Sequence, residues 1–227
     1  MSITKRSMKK VEKIKEELKP LYRRVFDISW RYKLSHLGSC VTALPIIDEI
    51  YSIKKLDEKF VLSSGHAGLA LYCVLEKYGH PEYGKSAEEI WKHHGTHPDR
   101  CKECHLDCSS GSLGMGLPIA VGMALARPDK NVYCLISDGE CSEGSIWEAL
   151  RIASEQKLTN LKVYLNFNGW GAYKKIELYY LTLRLKSFFQ VEVRQTNVDD
   201  FPFLKGQAGH YRVMDEEDYK QAMEVLS

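Results

Sequence analysis

Residues 131–150 read NVYCLISDGECSEGSIWEAL. NVYCLI is an apolar run without alternation, as in a strand covered on both faces. SDGE is a turn, and EGSIWEAL opens a helix. In a parallel sheet such strand-to-helix turns gather at one edge, where ligands bind. Gly139 lets the backbone approach an anion closely. The N–H groups of the turn and of the following helix favour phosphate oxygens. Asp138 adds a carboxylate at the same place. A carboxylate beside bound phosphate repels it, so a bridging cation is the natural resolution. Mg²⁺ suits this role, because it takes oxygen ligands and shares them with phosphates.

The next apolar run, LKVYLNFNGW at 161–170, delivers Asn166 and Asn168 at its end. Asn168 follows Asp138 by 30 residues, room for one helix and one strand, so the two side chains converge at neighbouring strand ends. Taken singly, SDG or NG reads as a turn; the ordered pair on two buried strands carries the signal. Further out, KFVLSS and FQVEVRQ read as strands. Helices are expected at 43–53, from Ala67 to Gly79, at 85–94, at 115–126 and over DEEDYKQAMEVL. A loop rich in Cys, His and Gly spans 95–114. Apolar strands alternating with helices predict an α/β fold, a parallel sheet flanked by helices, with residues 1–227 as a single domain.

Composition narrows the function classes. The 227 residues are 44% hydrophobic and 27% charged, which suits a globular chain. A net charge of +2 gives no general case for nucleic acid or membrane partners. Residues 1–34 hold 11 Lys/Arg against 4 Asp/Glu, the one strongly charged stretch. Val11, Ile14, Leu18, Leu21, Val25, Ile28 and Tyr32 recur there at steps of three and four, which predicts docking helices over about 5–33, broken or kinked at Pro20. No apolar h-region opens the chain, so the seven cysteines are expected as reduced thiols in a cytoplasmic protein.

SDGECSEG followed by Asn168 resembles the thiamine diphosphate motif, GDG with Asn about 30 residues later, and in its Glu143 the transketolase version of it. SHLGS at 35–39 is similar to the family's GHPGS, and VLSSGHAGLALY at 61–72 to its LS-x-GHA segment. THPD at 96–99 resembles GHPE, and SGSLGMGLPIAVGMALA at 110–126 resembles the corresponding run of two-subunit transketolases. These segments fall in family order over about 20–175. The resemblance implies the thiamine diphosphate-binding fold, here its diphosphate-binding domain. It implies Asp138, Asn168 and the main-chain carbonyl of Trp170 as Mg²⁺ ligands. Gly139 would offer its N–H to the diphosphate, and Gly111 and Leu113 would lie against the cofactor. His36, His66 and His97 would surround the reacting centre, and Glu143 would meet its counterpart in a second copy.

Activity would be transfer of a two-carbon ketol unit between sugars, sugar phosphates or related aldehydes. A C-terminal subunit with the pyrimidine-binding domain would complete the site, and the pair would double to a heterotetramer. Alternatives are a deoxyxylulose phosphate synthase-like or 2-oxo acid dehydrogenase-like thiamine enzyme, and a non-catalytic subunit that keeps the fold. Two departures from the pattern matter: Ser137 replaces the first Gly of GDG, and WGAYKKIELYY lacks the DG that follows the family's Asn. His210, in KGQAGHYR, is a further candidate to match a family histidine. Cys101, Cys104 and Cys108 in DRCKECHLDCSSG, near His97 and His105, offer a Zn²⁺ site that would shape the loop carrying His97.

Overall fold

The computed structural model describes residues 8–10, 14–79, 84–171 and 174–227; Val11 of the expected stripe and His80 lie outside them. Five parallel strands form one sheet: β1 (Met8–Lys10), β2 (Lys59–Leu62), β3 (Val132–Ser137), β4 (Leu161–Phe167) and β5 (Val191–Gln195). They lie side by side in the order β1-β5-β4-β3-β2. β3 pairs with β4 from Val132↔Leu161 to Ser137↔Asn166, so Ser137, the last residue of β3, lies beside Asn166, the last but one of β4.

Strand periodicity divides the core between two faces. Tyr133 and Leu135 of β3 pack with the larger cluster, while Val132, Cys134 and Ile136 pack with the other. On the first face lie α1 (Lys19–Tyr32), α2 (Leu37–Ile53), α3 (Gly68–Tyr78), α4 (Ala87–His94) and α8 (Glu216–Val225). The second face is covered by α5 (Gly116–Ala126), α6 (Gly144–Glu155) and α7 (Leu178–Phe188). All six residues of β3 are buried, which explains its unalternating apolar sequence.

Local chemistry sets the element ends. Ser86 with Glu89 and Asp215 with Asp218 form capping boxes that start α4 and α8. The Asn160 amide, just ahead of β4, donates to the carbonyls of Ala124, Arg127 and Lys130 at 3.0–3.1 Å and so closes the end of α5. Pro45 lies inside α2 and cannot donate to the carbonyl of Val41. The buried Tyr22 hydroxyl donates to that carbonyl instead, at 3.3 Å.

The N-terminal expectation needs correction. Met8–Lys10 is an edge strand on β5, and residues 16–18 form a 3₁₀ turn, so the only α-helix among the described residues of this stretch begins at Lys19. Pro20 stands in the helix's first turn, where its missing N–H costs nothing, and α1 runs on unbroken from it to Tyr32. The apolar stripe does dock: Leu18, Leu21, Val25 and Ile28 are buried. Part of the basic surface is committed to the last turn of the chain. Arg23 donates to the carbonyl of Leu226, and Lys19 donates to that of Ser227 at 2.9 Å, cations answering a helix C-terminus. α7 was not expected from the sequence.

Candidate diphosphate and divalent-cation site

Because every strand runs the same way, the loops after β2, β3 and β4 meet at one edge. They enclose a cavity of about 230 Å³. His36, His66, His97, Gly111, Leu113, Asp138, Gly139, Asn168 and Trp170 all line it, nine residues singled out from the sequence. Glu143 does not; it is exposed, with its side chain packed close to Gly114.

The two loop tips are tied directly together. Asp138 N–H donates to the carbonyl of Asn166 at 3.1 Å. One Asp138 oxygen accepts from Gly139 N–H at 3.0 Å and the other from Gly169 N–H at 2.7 Å. The carboxyl is almost wholly buried, at 1% exposure, and burial lifts its pKa to about 7 against the pull of these N–H groups. A buried carboxylate met only by neutral main-chain donors is suited to a cation, whose charge would restore the ionised form. Asn168 lies within reach: its Oδ1 accepts from Trp170 N–H at 3.0 Å, and its amide nitrogen is 3.5 Å from Thr42 Oγ1. The side-chain donors are a carboxylate and an amide oxygen, both hard oxygens, which fits Mg²⁺ rather than a thiophilic metal.

Asn166, delivered by the same strand, is fully employed elsewhere. Its amide donates to Thr42 Oγ1 at 3.0 Å, and its oxygen accepts from the Thr196 hydroxyl at 2.6 Å. It holds β4 to α2 and to the segment after β5. Ser137 adds less to the cavity than its substitution for Gly suggests, because its hydroxyl lies 3.2 Å from Glu140 Oε2. Glu140 carries no signal in the sequence, since a Glu in a polar turn reads as surface. It is wholly buried and accepts from the Ser63 hydroxyl (2.6 Å), Gly114 N–H (3.0 Å) and Ser137 N–H (2.9 Å). It thereby joins the loops after β2 and β3 to the GSLG segment, and burial raises its pKa.

The histidines line the same cavity. His36 starts α2 with a left-handed φ of 62°, and its N–H donates to the carbonyl of His210 at 2.8 Å. The His36 and His66 rings lie 5.4 Å apart. His210 Nδ1 is 3.2 Å from the Ser39 hydroxyl, and His210 also lines the cavity, as do Ser39 and Tyr211, which were not singled out from the sequence. Burial lowers the pKa of His36, and His97 nearby lowers it further. Burial, then the neighbouring histidines, bring His66 to about 4. His210 is lowered by burial and by His36. At neutral pH these rings are therefore uncharged, each with one donor and one acceptor nitrogen.

Cys108 does not join the other two cysteines. Its Sγ is 3.0 Å from the Ser109 carbonyl and packs with the core on the far face of the sheet. His94 takes its place beside Cys101 and Cys104.

Comparison with known proteins agrees with this architecture. The family model described as "Transketolase, thiamine diphosphate binding domain" matches residues 52–172. The chain belongs to that family. Transketolase of Pongo abelii is 42% identical over 122 residues, 51% of this chain and 19% of its own length. The 6-deoxy-6-sulfo-D-fructose transketolase subunit SqwG of Clostridium sp. (strain MSTE9) is 31% identical over 60% of this chain and 55% of its own. One subunit of the apulose-4-phosphate transketolase of Phocaeicola vulgatus is 31% identical over 64% of this chain and 57% of its own. The chain thus spans 19% to 57% of the length of these relatives. A transketolase structure from Campylobacter jejuni superposes with a TM-score of 0.73 at 20% identity, covering 93% of this chain and 42% of that one, a likeness of fold alone.

Proposed function

We propose that the chain is the diphosphate-binding half of a transketolase-type transferase, moving a two-carbon ketol unit between sugars or related aldehydes. The observation that carries this is that Asp138 and Asn168, on loop tips tied together through Gly169 N–H, line the same cavity as His36, His66 and His97. Asp138, Asn168 and the carbonyl of Trp170 would hold Mg²⁺, and Gly139 N–H with the Gly111–Leu113 segment would hold the cofactor's diphosphate and thiazolium. When bound, thiamine diphosphate supplies a centre that stabilises a carbanion. The chain's own part is to orient substrate oxygens and move protons. A neutral imidazole donates to a carbonyl oxygen as it gains charge and accepts a proton from a neighbouring hydroxyl. Such rings at His36, His66 and His210, lining one cavity, suit a polyhydroxylated substrate.

A second copy of this chain and a pyrimidine-binding subunit would complete the site, with Glu143 at the contact between copies. The relatives named as transketolase subunits support a divided enzyme. No helix among the described residues is long and apolar enough to cross a membrane, and seven thiols suit a reducing compartment such as the cytoplasm. The test is ketol transfer by the chain co-purified with its pyrimidine-domain partner, assayed with Mg²⁺ and thiamine diphosphate. Turnover that needs both polypeptides is expected. Cofactor binding without any transfer would leave a binding protein instead.

A further inference from the structure

A second cluster of metal-ligating side chains lies outside the cavity. The ligand atoms of His94, Cys101 and Cys104 fall within 4.8 Å of one another. Two elements bring them together. Residues Cys101 and Leu106 close a tight hairpin through paired main-chain bonds, N–H to carbonyl in each direction, both 2.9 Å. Inside it Cys104 N–H donates to Cys101 Sγ at 3.2 Å, and His105 takes a left-handed φ of 55° that turns the chain back. His94 comes from the last turn of α4, with Nε2 3.4 Å from Cys104 Sγ. Lys85 Nζ stands 3.7 Å from the same sulphur, a cation able to offset thiolate charge.

We propose that His94, Cys101 and Cys104 bind a soft divalent ion of the zinc class, with water at the fourth position. Two thiolates and one imidazole are a donor set zinc takes in tetrahedral geometry. The two thiolates balance the charge of the ion, and binding releases two thiol protons to solvent as two metal–sulphur bonds form. The main-chain N–H on Cys101 Sγ and the ammonium near Cys104 Sγ are outer contacts of the kind that orient such ligands. Thiol–disulfide chemistry fits the place poorly. The C-x-x-C sits in a hairpin with no helix N-terminus to favour an attacking thiolate, and Cys104 is only 2% exposed.

The ion would act on the loop rather than on substrate. It joins the end of α4 to the hairpin, and the segment between them carries His97. That ring packs where Gly111 has no side chain; a Cβ there would come within 3.1 Å of His97 Cδ2. Fixing both ends of the segment fixes that wall of the cavity. The site itself does not depend on the thiamine assignment, because its readout is metal content.

The test uses the full chain, reduced and stripped with a chelator, then titrated with Zn²⁺ alone and, separately, with Co²⁺. We expect a single ion per chain and a Co²⁺ spectrum with thiolate-to-metal charge transfer. Cys104→Ser and His94→Gln should each weaken Zn²⁺ binding by roughly a hundredfold or more, whereas Cys108→Ser should bind as the unaltered chain does. Should the ligand variants fail to fold, the Co²⁺ spectrum of the unaltered chain still decides. No stoichiometric ion, a Co²⁺ spectrum without thiolate bands, or equal loss in Cys108→Ser would overturn the proposal.

Discussion

Asp138 is a carboxyl group at the end of a buried strand, met by main-chain N–H groups and held near pH 7. His66, which lines the same cavity, is pushed the other way, to about 4 from an ordinary 6.5. The signs have consequences for stability. Between pH 6.5 and 4 the unfolded chain takes up a proton at His66 that the folded chain refuses. The stability tied to His66 is therefore complete above about pH 6.5 and declines as pH falls towards 4, by at most about 3 kcal/mol. Thermal melts of the unaltered chain and of His66→Gln over that window should show a shallower pH dependence in the variant; equal slopes would contradict the assignment. At this scale the sequence was informative wherever a residue type is unusual in its place. Asp138 after an apolar run, Asn168 at the matching distance and histidines beside glycines all stood out. Glu140 and Tyr211 did not, because nothing local distinguishes a buried Glu or a cavity Tyr from a surface one.

α2 shows how an element tolerates a residue that should break it. The Tyr22 hydroxyl supplies the hydrogen bond that Pro45 withholds from the Val41 carbonyl, and it does so from α1, which also docks the basic N-terminal stretch. Tyr22→Phe would leave that buried carbonyl unpaired and should lower unfolding stability by about 1–3 kcal/mol in a denaturant titration. No measurable loss would mean that water replaces the hydroxyl. Leu135→Ala in β3 should cost about 2–5 kcal/mol by the same measurement, because a fully buried strand leaves a cavity that cannot collapse. An unchanged midpoint would show that the sheet repacks. β2, β3 and β4 are legible as apolar runs, and β5 as a weaker strand within FQVEVRQ. α7 was not, because Tyr179, Tyr180 and Leu183 point to solvent while Leu181 and Leu185 are buried, which blurs the helical stripe. β1 was read as helix for the opposite reason: three residues, two of them lysine, continue the pattern of the basic stretch and pair only at the sheet edge.

Across the whole molecule, an all-parallel sheet puts every βα loop on one side and so assembles a cavity from segments as distant as 36 and 210. The chain matches only part of the length of each of these relatives. Single-chain sequence reasoning reached the family and the cavity. It did not find the His94–Cys101–Cys104 group, because spacing within DRCKECHLDC favours Cys108 while the fold brings His94 of α4 beside Cys101 and Cys104. The most direct measurement is calorimetric titration of thiamine diphosphate into the chain, combined with the proposed pyrimidine-domain partner, with and without Mg²⁺, for the unaltered chain and for Asp138→Ala. The account predicts binding that requires Mg²⁺ and disappears in Asp138→Ala while the circular dichroism spectrum is unchanged. Binding of equal strength in both proteins, or binding indifferent to Mg²⁺, would contradict it.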